Sequence, residues 1–172
     1  MTTDSTHPAG TTRTEDNGLV APAGLEPIQA VDSDAPVVVR LAVTVNAPLA
    51  EVWALHTDIA AWPDWNPDIS AAELAGPLAP GATFAWRTHG LDITSTVYQV
   101  VPGRRIVWGG PAQGIDGVHV WTFQEQDGLV TIRTDESWSG APVLAAPDAL
   151  RDALRQSLEQ WLLRLKERAE QR

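Results

Sequence analysis

Apolar and polar positions alternate with a period of two over most of the chain from residue 37 to residue 138, and the period becomes helical near residue 147. Val37 to Asn46 reads as a strand. Pro48 to His56 reads as a short helix, with proline at a favoured first-turn position. Asp58 to Trp65 reads as a second short helix with Asp58 as its cap. Ile69 to Leu74 is a weaker strand, and Gly76-Pro77 and Pro80-Gly81 bracket a loop. Ala82 to Thr88, Leu91 to Val101, Arg104 to Gly109, Val118 to Gln126 and Leu129 to Trp138 read as five further strands, rich in Val, Ile, Thr and Trp and separated by turn dipeptides. From Pro147 to Arg168, Leu150, Leu154, Leu158, Trp161, Leu162 and Leu165 recur at helical spacing between Arg, Asp, Gln and Glu. That is one long amphipathic helix, and only the sheet is large enough to receive its apolar stripe.

The turns set which side chains face that helix. Asp127-Gly128 is a strong hairpin signal, because both positions tolerate positive φ. It pairs Gln126 with Leu129 and continues to Phe123/Ile132, Trp121/Thr134 and His119/Glu136, with Gln124/Thr131, Thr122/Arg133 and Val120/Asp135 between them. One set of rungs is mainly apolar and the other mainly polar, a division that a one-residue slip would scramble. His89-Gly90 likewise pairs Arg87 with Asp92 outside, and Trp86 with Ile93 and Phe84 with Ser95 inside. Pro102-Gly103, taken as the centre of the next connection, sets Val97 opposite Trp108 and Gln99 opposite Ile106.

The inner face so defined supplies candidate ligand-binding residues Phe84, Trp86, Ser95, Val97, Gln99, Trp108, Trp121, Phe123 and Thr134, with Trp65 at the mouth and Leu154, Leu158 and Trp161 from the long helix. Rigid aromatic walls with a few convergent polar groups are the makeup of a small-molecule pocket. The plainer alternative is that the rings fill space under the helix. Within this set, His119 and Glu136 stand directly opposite on one face, where Cβ atoms lie about 4.5–5.5 Å apart. Burial raises a carboxylate pKa, a neighbouring imidazolium lowers it, and such a pair can act as a general acid/base near neutrality. A structural pair in which the carboxylate pins the ring is the alternative. Tyr98, the single tyrosine, has outward parity. His56 reads as a helix-end residue and His89 as a turn residue. Gly109-Gly110 and Gly114 to Gly117 read as a flexible loop, which with Gly140-Ala141-Pro142 forms a mobile rim over the cavity.

Composition narrows the chemistry. The chain has 172 residues, a single-domain length. No cysteine is present, which excludes disulfides and thiolate chemistry, and no His pair at helical i, i+4 spacing, HxH or His-plus-carboxylate triad occurs, so no metal site is expected. A net charge of −10 argues against nucleic acid and anionic membrane surfaces. No run approaches the ~20 apolar residues of a membrane span, and no signal-like segment opens the chain, so a cytoplasmic location is expected. Nothing in the pattern excludes a homodimer. Residues 1–36 carry one arginine against six acids and no apolar period, the composition of a disordered acidic tail, with Leu25, Ile28 and Val31 free to dock on the folded domain of residues 37–172.

The segment Ala47-Pro48-Leu49-Ala50-Glu51-Val52-Trp53, then Thr57-Asp58-Ile59, then Trp62-Pro63-Asp64-Trp65-Asn66-Pro67, following a strand, resembles the opening of the START-like (SRPBCC) superfamily, in particular its polyketide cyclase/dehydrase branch. The resemblance implies an α+β helix-grip fold, in which a curved antiparallel sheet of about seven strands wraps a long C-terminal helix, with two short helices after the first strand. It also implies function. The cavity would hold a small hydrophobic or aromatic, polyketide-like intermediate of secondary metabolism and promote its cyclisation or dehydration without a cofactor, His119 and Glu136 moving protons. A non-catalytic binding or carrier protein of the same fold is the alternative, and a domain whose cavity is filled by its own side chains is a third.

Overall fold

A computed structural model describes residues 28–171 of the chain. Seven strands form one open antiparallel sheet in the order β1-β7-β6-β5-β4-β3-β2. They are β1 (Val37–Val45), β2 (Ile69–Leu74), β3 (Thr83–Thr88), β4 (Leu91–Val101), β5 (Arg105–Ala112), β6 (Ile115–Gln126) and β7 (Leu129–Ser139). Between β1 and β2 run helix α1 (Leu49–Thr57), a 3-10 turn (Ile59–Ala61) and the single-turn helix α2 (Trp62–Trp65). The chain closes with α3 (Ala141–Ala145) and the 24-residue α4 (Pro147–Glu170). This is the helix-grip arrangement. α4 turns Leu154, Leu158, Trp161, Leu162 and Leu165 onto the sheet, at the spacing the sequence sets.

The β6–β7 and β3–β4 hairpins pair rung for rung as the alternation requires, with Gln126 opposite Leu129, His119 opposite Glu136, Trp86 opposite Ile93 and Phe84 opposite Ser95. Their turns place Asp127 and His89 at φ near 50°, each followed by a glycine with φ near 80°. That is the two-residue geometry whose twist matches the strands. A third turn has the same form. Gln113 (φ 52°) and Gly114 (φ 78°) join Ala112 to Ile115, and pairing then runs through Pro111/Asp116, Gly110/Gly117 and Gly109/Val118. The glycine-rich segment expected to be a mobile loop is therefore the paired tip of the β5–β6 hairpin. Gln-Gly is a weaker turn signal than Asp-Gly, and the glycines masked the alternation. Gly140-Ala141-Pro142 is not a loop either: Gly140 (φ 115°) precedes α3, which begins at Ala141.

Glycine at 109 is a steric requirement. A Cβ there would run into the carbonyl oxygen of Gly117 and come within 3.1 Å of its carbonyl carbon, and both are backbone atoms of the neighbouring strand. Gly109→Ala is expected to part β5 from β6 and to cost about 2 kcal/mol or more. A loss under about 0.5 kcal/mol in a urea titration would show that the strands yield freely.

The β4–β5 connection corrects the expected register. Pro102 and Gly103 (φ 68°) form a turn closed by Arg104 N–H donating to Val101 O at 2.9 Å, but Arg104 adds one residue before pairing begins at Val101/Arg105. Val100, not Gln99, therefore faces Ile106, and Gln99 pairs with Val107. A bulge at Tyr98 removes the offset, so Val97 lies opposite Trp108 as expected. The helix expected from Asp58 to Trp65 is split in two. Asp58 makes no side-chain capping bond and instead terminates α1.

Two layers of contact flank the sheet. On its outer face, residues 28–36 run across the strands: Arg105 donates to Gln29 O, Asp32 N–H donates to Ser137 Oγ at 3.1 Å, and Arg40 donates to Ser33 Oγ at 3.2 Å. Ile28 and Val31 are half-buried there, whereas Leu25 lies outside the described residues. On the inner face, one half of the space under α4 is solid. Val52, Leu55, Ile59, Trp62 and Trp65 pack against Phe84, Val97, Ile106, Trp121, Phe123, Ile132, Leu162 and Leu165.

Candidate functional site

The other half of the inner face is hollow. A cavity of about 660 Å³ lies beneath the middle of α4, from Ala153 to Arg164, within the size range of small-molecule sites. Its walls are Trp86, Ile93 and Ser95 of the β3–β4 hairpin, Trp108, Ile115, Gly117 and His119 of the β5–β6 hairpin, Glu136 and Trp138 of β7, and Leu154, Leu158 and Trp161 of α4. The hairpin tips (Thr88, His89, Leu91, Ala112, Gln113) and the polar edge of α4 (Gln156, Ser157, Gln160, Arg164) border it. Of the thirteen residues expected to bind ligand, Trp86, Ser95, Trp108, Leu154, Leu158 and Trp161 line it, as do both residues of the acid/base pair.

The remaining seven are elsewhere. Trp65, Phe84, Val97, Trp121 and Phe123 belong to the solid half of the core. The last four share the inner face of the sheet, but the segment from α1 to α2, with Trp65 at its end, fills the space in front of them. Thr134 is fully buried behind His119, 2.6 Å from its Nε2. Gln99 is on the outer face by the shifted register, accepting from Arg105 Nε at 3.0 Å. The tryptophans that line the hollow are Trp86, Trp108 and Trp161, which were expected there, and Trp138, which was not. Trp138, at the same parity as Glu136 and two residues on, was legible from alternation alone.

Glu136 is the centre of the polar chemistry. Its Oε1 accepts from Trp138 Nε1 at 2.7 Å, and its Oε2 lies 3.1 Å from His119 Nδ1. The His119 contact is short but out of line for a hydrogen bond, so Nδ1 is left without a bonding partner. Burial pushes the Glu136 carboxyl up to about 7, against the opposing pull of the Trp138 N–H. Burial also holds the His119 imidazole well below its ordinary value, with His56 adding in the same direction. Desolvation therefore outweighs attraction across this pair. Near neutrality His119 is uncharged, and Glu136 exchanges its proton in the physiological range. Glu136 retains 13% side-chain exposure against 2% for His119. The carboxyl is thus the group better placed to meet a ligand.

Two further features escaped the sequence reading. Arg164 of α4 donates from Nη1 to Asn66 Oδ1 at 2.6 Å and to Asp68 Oδ2 at 2.5 Å, binding the Trp-Pro-Asp-Trp-Asn-Pro-Asp segment to the long helix at the edge of the cavity. Trp62 Nε1 donates to His56 O at 2.8 Å, tying α2 to α1. His56 itself is fully buried among Trp62, Trp121 and Phe123, with neither ring nitrogen bonded, and burial pushes it down to about 3. Among the described residues no three His, Asp or Glu side chains converge as a metal site, and no helix is long and apolar enough to cross a membrane.

The fold has solved counterparts. A hypothetical protein of Helicobacter pylori is similar with a TM-score of 0.71 at 19% identity, covering 84% of this chain and 99% of its own. A START superfamily protein of Mycobacterium smegmatis gives 0.67 at 17% identity, covering 78% and 97%. The di-domain ARO/CYC protein BexL of the BE-7585A biosynthetic pathway gives 0.62 at 22% identity over 81% of this chain, which spans 52% of that longer one. No sequence among the curated proteins matches it. The model of the family described as polyketide cyclase / dehydrase and lipid transport matches residues 36–170, so the chain belongs to that family.

Proposed function

We propose that the protein binds a small, largely apolar biosynthetic intermediate in its tryptophan-walled cavity and promotes cyclisation or dehydration with Glu136 as the proton-transferring group. The observation that carries this reading is a carboxyl set in the wall of a tryptophan-lined cavity, which burial pushes up to about 7, close to the pH at which a general acid/base is most effective. As a carboxylate, Glu136 takes a proton from a carbon beside a carbonyl. As an acid, it returns that proton to a β-hydroxyl, which leaves as water while the carbon–carbon double bond forms. Alternatively, the enolate produced by the first step closes a ring on a second carbonyl, and the new alkoxide takes the proton. His119, braced by Thr134, stands beside the carboxyl with Nδ1 3.1 Å from Oε2. The indoles of Trp86, Trp108 and Trp161 select and fold the substrate, so positioning supplies much of the rate.

Native mass spectrometry of protein purified from its own host identifies the co-purifying molecule, and turnover of that class of compound is then measured. Glu136→Gln is expected to retain binding within about threefold and to lose at least about a hundredfold in kcat. The second reading is a carrier, for which the family description itself provides through lipid transport. Under that reading Glu136→Gln and His119→Ala change affinity only, and no substrate is converted.

A further inference from the structure

Glu136 and Trp138 are two residues apart on β7 and therefore share the inner face. The indole reaches back along the strand, and its Nε1–H donates to Glu136 Oε1 at 2.7 Å. The rung opposite Trp138 is Gly117. A Cβ at 117 would stand 3.5 Å from both Cδ1 and Nε1 of the indole and 3.8 Å from Glu136 Oε1. Any larger side chain would press on the ring and the carboxyl together. The two oxygens of Glu136 thus have different neighbours: Oε1 is held by the indole, while Oε2 faces His119 Nδ1, which has no aligned partner.

We propose that Trp138 is the positioning residue of this site: its indole N–H holds Oε1 and fixes the carboxyl against the cavity wall, Gly117 provides the clearance for that ring, and Oε2 is the oxygen left to exchange a proton with the ligand. The ligand half of this statement rests on the function proposed above, whereas the positioning half concerns the free protein. The hydrogen bond favours the charged carboxylate and therefore acts against burial. The other titratable groups around the cavity are His119 at 3.1 Å from Oε2, and His89, Asp68 and Arg164 at its border, the last two paired with each other. None of these donates to Oε1, so removing the indole N–H alters one contact of the carboxyl and leaves the others in place.

Titration of the wild-type protein labelled with ¹³C at glutamate carboxyl carbons, with Glu136 assigned by its loss in Glu136→Gln, gives the midpoint directly. In Trp138→Phe that midpoint is expected to rise by roughly half to one pH unit, a proton bound about three- to tenfold more tightly. The indole Nε1–H resonance of Trp138 in the wild type is expected to follow the same midpoint, and to be flat through that range in Glu136→Gln. An unchanged midpoint in Trp138→Phe, or a wild-type indole resonance that ignores the titration, overturns the assignment. The second measurement decides the matter if Trp138→Phe does not fold. Both are made on ligand-free protein, so a failure here is distinct from an absence of turnover.

Discussion

Trp62→Ala is expected to lower the stability of the protein by about 4 kcal/mol, the largest effect of any single side-chain truncation considered. Trp62 is 1% exposed, and it is the ring on which the others lean. It stands edge-on to Phe84, Trp86 and Trp161, with centroids 5.6, 6.1 and 5.2 Å away, and tilted to Trp108 at 6.2 Å. Its N–H also satisfies the carbonyl of His56. Truncation leaves a void too enclosed to collapse and an unpaired buried carbonyl. Trp86, Trp108 and Trp161 are also the cavity walls, so ligand affinity should fall together with stability. Urea unfolding followed by far-ultraviolet circular dichroism gives the first quantity and calorimetric titration the second. A stability loss under about 1 kcal/mol would mean that the ring does not brace the others.

The stability curve against pH is expected to peak near about pH 6–6.5 and to fall on both sides, for opposite reasons. The folded protein holds His56 at about 3 and His119 well below the ordinary imidazole value of 6.5. The unfolded chain binds protons there that the folded chain refuses, so stability is lost as pH falls below 6.5, by about 1.4 kcal/mol per unit and per group within each window. Glu136 acts in the reverse sense. Its folded value near 7 exceeds the ordinary 4.5, so its contribution is intact below 4.5 and is lost as pH rises through 7, by about 3 kcal/mol in all. Glu136→Gln should therefore match the wild type near pH 4 and exceed it by up to about 3 kcal/mol at pH 8, the gap opening between the ordinary carboxyl value of 4.5 and the folded value of about 7. Equal melting temperatures of the two proteins at pH 8 would refute the raised carboxyl. If the gain appears together with lost turnover, the group that performs the chemistry is one that the fold maintains at a cost.

The sheet could be read from the sequence because its register is fixed locally. Asp127-Gly128 and His89-Gly90 each select one pairing, and the alternation of Trp121 and Phe123 with Val120 and Thr122 rejects a slip. Gln99 was misplaced because two compensating irregularities, the extra residue Arg104 and the bulge at Tyr98, leave Val97/Trp108 in place and shift only the rungs between. Parity identifies a face but not what stands in front of it. Trp121 and Trp108 are both inward, yet the first is covered by His56 of α1 at 4.6 Å while the second borders open space. That distinction depends on where α1 and α2 settle, a tertiary outcome that no period encodes. His119 and Glu136 were legible because a cross-strand rung is a local fact. Their protonation was not, since it follows from burial within the assembled core.

The family match begins at residue 36, but the folding unit begins earlier. Between Arg105, where the peptide of Gln29 lands, and Ser137, where that of Asp32 does, lie Val107 and Val120, outward by register and nonetheless 0% and 4% exposed. Excising the chain at the homology boundary would lay those two valines bare on the back of the sheet, presenting a sticky apolar stripe to other molecules. A protein trimmed in that way would invite self-association.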